Sequence, residues 1–149
     1  MPRPFLLIVT LWAVLSFAAD AQAAQPISRF GIFVYSQLCY SAQSGDVDGF
    51  RIVLLRLPEG DSVFFEEADG AIMEPLIGNA MIDPKTSEIS FEIRVPNIPS
   101  DDPIRFRGTI DSDNLTGTLL WRGGAGGTHD LQLPRRLFLT GELGEECHR

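Results

Sequence analysis

Residues 88–95 alternate without a break: Ile89, Phe91, Ile93 and Val95 share one side, and Glu88, Ser90, Glu92 and Arg94 the other. A period of two belongs to an extended strand with one buried face. Residues 104–111 repeat it, with Ile104, Phe106, Gly108 and Ile110 inward and Arg105, Arg107, Thr109 and Asp111 outward. Residues 115–122 put Leu115, Gly117, Leu119 and Trp121 inward. If the first two strands pair, Glu88 and Glu92 meet Arg105 and Arg107 on the wet face, each pair contributing a few tenths of a kcal/mol. Residues 30–40 and 50–57 are apolar on both faces, which predicts cover on two sides. Segments 63–68, 76–82 and 129–134 complete a set of about eight strands. No stretch shows the 3.6-residue period of an amphipathic helix.

The breaks between strands are short and rich in turn formers. Pro58-Glu59-Gly60-Asp61 and Asp69-Gly70 read as hairpin turns, the second suited to type I′ because glycine accepts positive φ. Asp83-Pro84-Lys85-Thr86 and Asp111-Ser112-Asp113-Asn114 make two more, and the glycine run 123–127 a flexible one. Only 41–48 and the proline-punctuated 96–103 are longer. Short turns make consecutive strands antiparallel neighbours, so the chain is expected to be an all-β antiparallel meander. About eight such strands suit a small closed up-and-down barrel, which leaves no sticky edge. A β-sandwich is the alternative, less favoured because no long crossover is evident.

The N-terminus departs from this pattern. Arg3 precedes an apolar run over residues 5–19, followed by Asp20 and the small residues Ala21-Gln22-Ala23-Ala24. A basic start, an apolar core and an Ala-x-Ala site are the marks of a cleaved signal peptide over residues 1–23. The run is shorter than the roughly 20 residues a spanning helix needs, so no membrane span is expected once it is removed. Residues 24–149 then form one domain, periplasmic or secreted. The formal charge of −8 argues against nucleic acid and anionic membrane surfaces as partners.

Export changes the meaning of the cysteines. Cys39 and Cys147 both follow the leader, and an even count outside the cytoplasm reads as one disulfide between them. Candidate chemistry is sparse. Asp46-Val47-Asp48-Gly49 overlaps an EF-hand loop, but Leu55 stands where the bidentate glutamate belongs; Asp111-Ser112-Asp113 fails likewise, with Arg122 there. His129 and His148 are the only histidines, too few for a metal centre with Cys147, and no metal or cofactor is expected. No nucleophile elbow or phosphate loop occurs. His129 and Asp130 are adjacent on a strand and point to opposite faces, and so do Glu66 and Glu67, of which at most one faces a cavity. A carboxylate pair such as Glu66 with Glu74 is the remaining enzymatic option, short of any supporting spacing. Catalytic residues are therefore not assigned, and the chain is expected not to be an enzyme. Phe30, Phe33, Phe50, Phe64, Phe65, Phe91, Phe106 and Trp121 either fill the barrel or line an apolar cup at its mouth.

Leader, short meander and one bridge near the ends together resemble the calycin-type barrels, such as lipocalins. The resemblance is architectural: Phe30-Gly31-Ile32-Phe33 stands where lipocalins carry Gly-x-Trp, and residues 137–149 show no helical pattern. It implies a fold and no site residues. The function expected is an exported small β-barrel binding protein, taking an apolar ligand or a protein partner. An inhibitor or envelope accessory protein acting through its two longer loops is the alternative, and a hydrolase with paired carboxylates a third.

Overall fold

The computed structural model describes residues 27–41, 43–72, 74–95, 103–121 and 127–136. Eight strands follow in chain order: β1 (Gly31–Tyr40), β2 (Val47–Leu57), β3 (Gly60–Ile72), β4 (Leu76–Ile82), β5 (Glu88–Ile93), β6 (Ile104–Ile110), β7 (Asn114–Trp121) and β8 (Gly127–Arg136). Each pairs antiparallel with the next, and β8 returns to β1, so the sheet closes into an up-and-down barrel. Residues 1–26, with the stretch expected to be a signal peptide, lie outside the described residues, as do Cys147, His148, residues 96–102 and most of the glycine run. Among the described residues no helix is long and apolar enough to cross a membrane.

The alternation read from the sequence sets the inside and the outside. Ile52 and Leu54 of β2 oppose Phe65 and Val63 of β3; Phe91 of β5 opposes Phe106 of β6. All six are buried in one apolar cluster that also takes in Tyr35, Ile110, Leu115, Leu119, Trp121, Leu131 and Leu133. The rings of Phe91 and Phe106 stack at 5.1 Å between centroids. Of the aromatic set, Phe33, Phe65, Phe91, Phe106 and Trp121 therefore fill the barrel, whereas Phe30 is 47% exposed ahead of β1 and Phe64 lies outward across from Ile77.

Two inward glycines, Gly108 and Gly117, sit opposite each other on β6 and β7. A Cβ at Gly117 would meet Gly108 Cα at 2.6 Å and the Phe106 ring at 2.7 Å. The pair lets the two backbones approach at a tight corner, and the Phe106 ring covers the space a side chain would take.

On the wet face Glu92 receives Arg105 Nε at 3.1 Å, as the alternation predicts. Glu88 stands opposite Thr109, and Ser90 opposite Arg107, so the second expected pair is not made. Arg107 is two residues along β6 from Thr109, the residue that Glu88 faces, so only one Glu–Arg pair falls directly across the strands.

β3 differs most from expectation, running to Ile72 instead of ending near Ala68. Asp69-Gly70 is not a hairpin turn: Asp48 pairs with Asp69 and Val47 with Gly70 in a continuing ladder. Gly70 has φ of 80°, and its N–H donates to Asp48 Oδ1 at 3.3 Å. Positive φ here serves a twist within the strand, a use of glycine the dipeptide alone does not distinguish from a turn. The other three turns form where expected. Leu57 faces Gly60 across Pro58-Glu59. Ser87 N–H donates to Asp83 O at 2.8 Å. Asp111 Oδ1 accepts from the N–H groups of Asp113 and Asn114, both at 2.7 Å.

The two ends of the barrel are unlike. At the lower end, where even-numbered strands finish, Ile27 and Ile82 pack against the cluster and Arg56 Nη1 donates to Ser28 O at 3.2 Å, fastening the segment ahead of β1 beneath the barrel. Tyr35, wholly buried on β1, reaches down to donate its hydroxyl to Asp111 O at 2.7 Å. Burial holds its ionisation well above the ordinary tyrosine value. The ladder between β1 and β8 holds Val34–Arg136 and Tyr35–Arg135. The next residue up β8 is Pro134, which has no N–H to extend it.

Candidate functional site

The upper end, where odd-numbered strands finish, carries the polar inward side chains. On β3 the inward series Val63, Phe65 turns polar at Glu67, beyond which Asp69 is exposed at the rim; on β8 it runs from Leu133 and Leu131 to His129. β2 contributes Phe50, directly across from Glu67, and Asp48 across from Asp69. β7 contributes Trp121, opposite Gly127.

Ring contacts join these residues. Phe50 lies 5.4 Å from the His129 imidazole and 6.0 Å from Phe65, and Phe65 lies 5.7 Å from the Trp121 indole. Trp121 is 6% exposed, and its Nε1 has no hydrogen-bond partner among the described residues. An indole nitrogen is a donor only. Leaving it buried and unpaired is unfavourable by ~1–3 kcal/mol. It is the sole buried side-chain nitrogen or oxygen left unpaired among the described residues.

Glu67 is the second group out of balance. Burial pushes its carboxyl above the usual carboxylate range, the Asp69 charge pushes in the same direction, and His129 opposes both. Its sequence neighbour Glu66 is on the outer face, ion-paired with Arg51. The expectation that at most one of the two acids faces inward therefore resolves to Glu67. The pair Glu66 with Glu74 is not assembled, because Glu66 points away from the barrel interior. His129 and Asp130 likewise part company: Asp130 accepts from Thr118 Oγ1 at 3.0 Å outside, while the imidazole lies on Phe50.

Among the described residues no group of three His, Cys, Asp or Glu side chains is placed to hold a metal ion. Asp48 instead accepts the Gly70 N–H. Cys39 is part of β1 near the same end, and no free cysteine occurs among the described residues. The mouth combines a buried donor, an inward carboxylate, an imidazole and flat apolar rings. That arrangement can hold a small ligand by hydrogen bonds and ring contact. Sequence reasoning passed over Glu67, His129 and Trp121 as a group because Glu67 lies 54 residues before Trp121, the nearer of the other two. The one signal available was the switch from apolar to polar at the end of two inward series.

The fold and this mouth define a small closed up-and-down β-barrel, filled along its length and polar at one end. Comparison with protein-family models, curated proteins and solved structures found no match.

Proposed function

We propose that this chain is an exported, non-catalytic β-barrel binding protein that takes a small ligand at its upper mouth. The orphaned Trp121 Nε1, buried beside a chain of aromatic contacts that runs through Phe65 and Phe50 to His129, with Glu67 across from Phe50, carries the reading. Elsewhere the interior is occupied by protein: Ile52, Leu54, Leu115, Leu119 and Leu133 are each fully buried. A ligand deep in the barrel would have to displace them, so the mouth is the favoured place. Export rests on the leader pattern of residues 1–23, and the disulfide between Cys39 and Cys147 belongs to that same reading.

Native mass spectrometry of the protein recovered from the exported fraction of its host tests this. A retained small molecule that is lost in Trp121→Phe supports the mouth. Retention unaffected by Trp121→Phe and Glu67→Gln contradicts it. A second reading, an accessory protein working by protein contact, draws on the outer face of β4, where Ile77 and Met81 are 64% and 73% exposed. Replacing both with serine and finding ligand retention intact but a copurifying partner gone would favour that reading instead.

A further inference from the structure

We propose that the upper mouth selects a compact organic cation, whose ammonium group meets Glu67, whose apolar body lies on Phe50, and whose hydroxyl or carbonyl oxygen accepts the Trp121 Nε1 proton. This rests on the mouth being the binding site and adds the chemistry of what binds there.

The requirement for an acceptor comes from Trp121. Its Nε1 is buried, unpartnered among the described residues, and able only to donate. A ligand that covers it without an acceptor atom gains nothing from it. The requirement for a cation comes from the groups that face the same end. β3 supplies Glu67 and Asp69, β2 supplies Asp48, β1 supplies the neutral Gln37, and β8 supplies His129. Arg51 and Arg105 lie on neighbouring strands, but both are on the outer face, paired with Glu66 and Glu92. An anionic ligand would therefore meet three carboxylates and one imidazole, and would do so in a chain of formal charge −8. A cation gains from both, and the face of an aromatic ring attracts it further. Phe50 already meets His129 at 5.4 Å and Phe65 meets Trp121 at 5.7 Å, which leaves no slot between those rings, so the ligand lies over them.

Three probes of one shape separate the terms: tyramine, a cation; tyrosol, its neutral alcohol analogue; and 4-hydroxyphenylacetate, an anion. All carry a phenolic oxygen. The exported form, without residues 1–23 and hence without Trp12, carries Trp121 as its single indole, and the ¹⁵N–¹H resonance of that ring reports on Nε1 directly. Tyramine is expected to move that resonance to lower field and to bind about tenfold tighter than either analogue, as a charge-assisted hydrogen bond implies. Glu67→Gln is expected to remove that advantage, so that tyramine binds no tighter than tyrosol. Tyrosol or 4-hydroxyphenylacetate binding as tightly as tyramine overturns selection for a cation and leaves the mouth as the site. An indole resonance that none of the three moves overturns the mouth as a binding site as well.

Discussion

Replacing Trp121 with phenylalanine removes the one orphaned buried donor among the described residues and keeps a ring in its place. Two effects oppose each other. The smaller ring leaves roughly 40 Å³ unfilled, which at ~24 cal/mol per Å³ destabilises by about 1 kcal/mol. Loss of the unpaired N–H removes a penalty of ~1–3 kcal/mol. The net change in unfolding free energy is therefore expected to lie between about zero and a gain of about 2 kcal/mol. Had Nε1 been bonded in the native state, the substitution would forfeit that bond and strand its partner as well, for a total loss of about 3 kcal/mol or more. Urea unfolding followed by far-ultraviolet circular dichroism measures the difference, since the indole signal is gone. Leu119→Ala, at a fully buried position of the same strand, serves as the reference and should lose ~2–5 kcal/mol. A Trp121→Phe loss as large as that of Leu119→Ala would refute the reasoning.

Three other outcomes follow from the same structure. Gly117→Ala drives a Cβ against the Gly108 backbone and the Phe106 ring, and should destabilise by about 1–3 kcal/mol or more in urea; a neutral result would mean that the β6–β7 corner is wider than described. Tyr35→Phe removes the bond to Asp111 O and should lose ~1–3 kcal/mol, with faster amide exchange at Asn114, whose N–H shares that turn; unchanged exchange would count against a tie between β1 and the turn. Glu67 has a raised pKa in the folded chain, so it favours folding at acid pH and loses that contribution as pH rises through the raised value. Glu67→Gln should accordingly raise the melting temperature at about pH 7 and lose its advantage below the usual carboxylate range; a gap constant with pH contradicts the shift.

Much of the barrel was legible because its strands obey the simplest rule available. Along residues 88–95, 104–111 and 115–122 every second side chain is apolar, and those side chains are the ones buried in β5, β6 and β7. Turn chemistry located three of the four tight turns correctly, since Asp111 and Asp83 cap their own turns by side-chain bonds that sequence spacing reveals. Asp69-Gly70 misled because the dipeptide reports only that a positive φ is accepted. Whether that angle ends a strand or twists it depends on Asp48, 22 residues before Gly70, whose carboxylate holds the Gly70 N–H and keeps the ladder going. The mouth was less legible for the same reason. Phe50, Glu67, Trp121 and His129 come from four strands, and only the closure of the sheet brings them to one end. Local pattern says which face each occupies, and the register of four strand pairs, from β3 through β2, β1 and β8 to β7, decides which of them are neighbours.

The claim that the ligand is held at the upper mouth and not in the lumen is tested most directly by a shift map during a tyramine titration. The account predicts movement of the Trp121 indole and the His129 imidazole, while the methyl resonances of Ile110, Leu115 and Leu133 in the buried core stay where they are. Movement of those core methyls with the Trp121 and His129 rings unchanged would place the ligand inside the barrel and contradict the account.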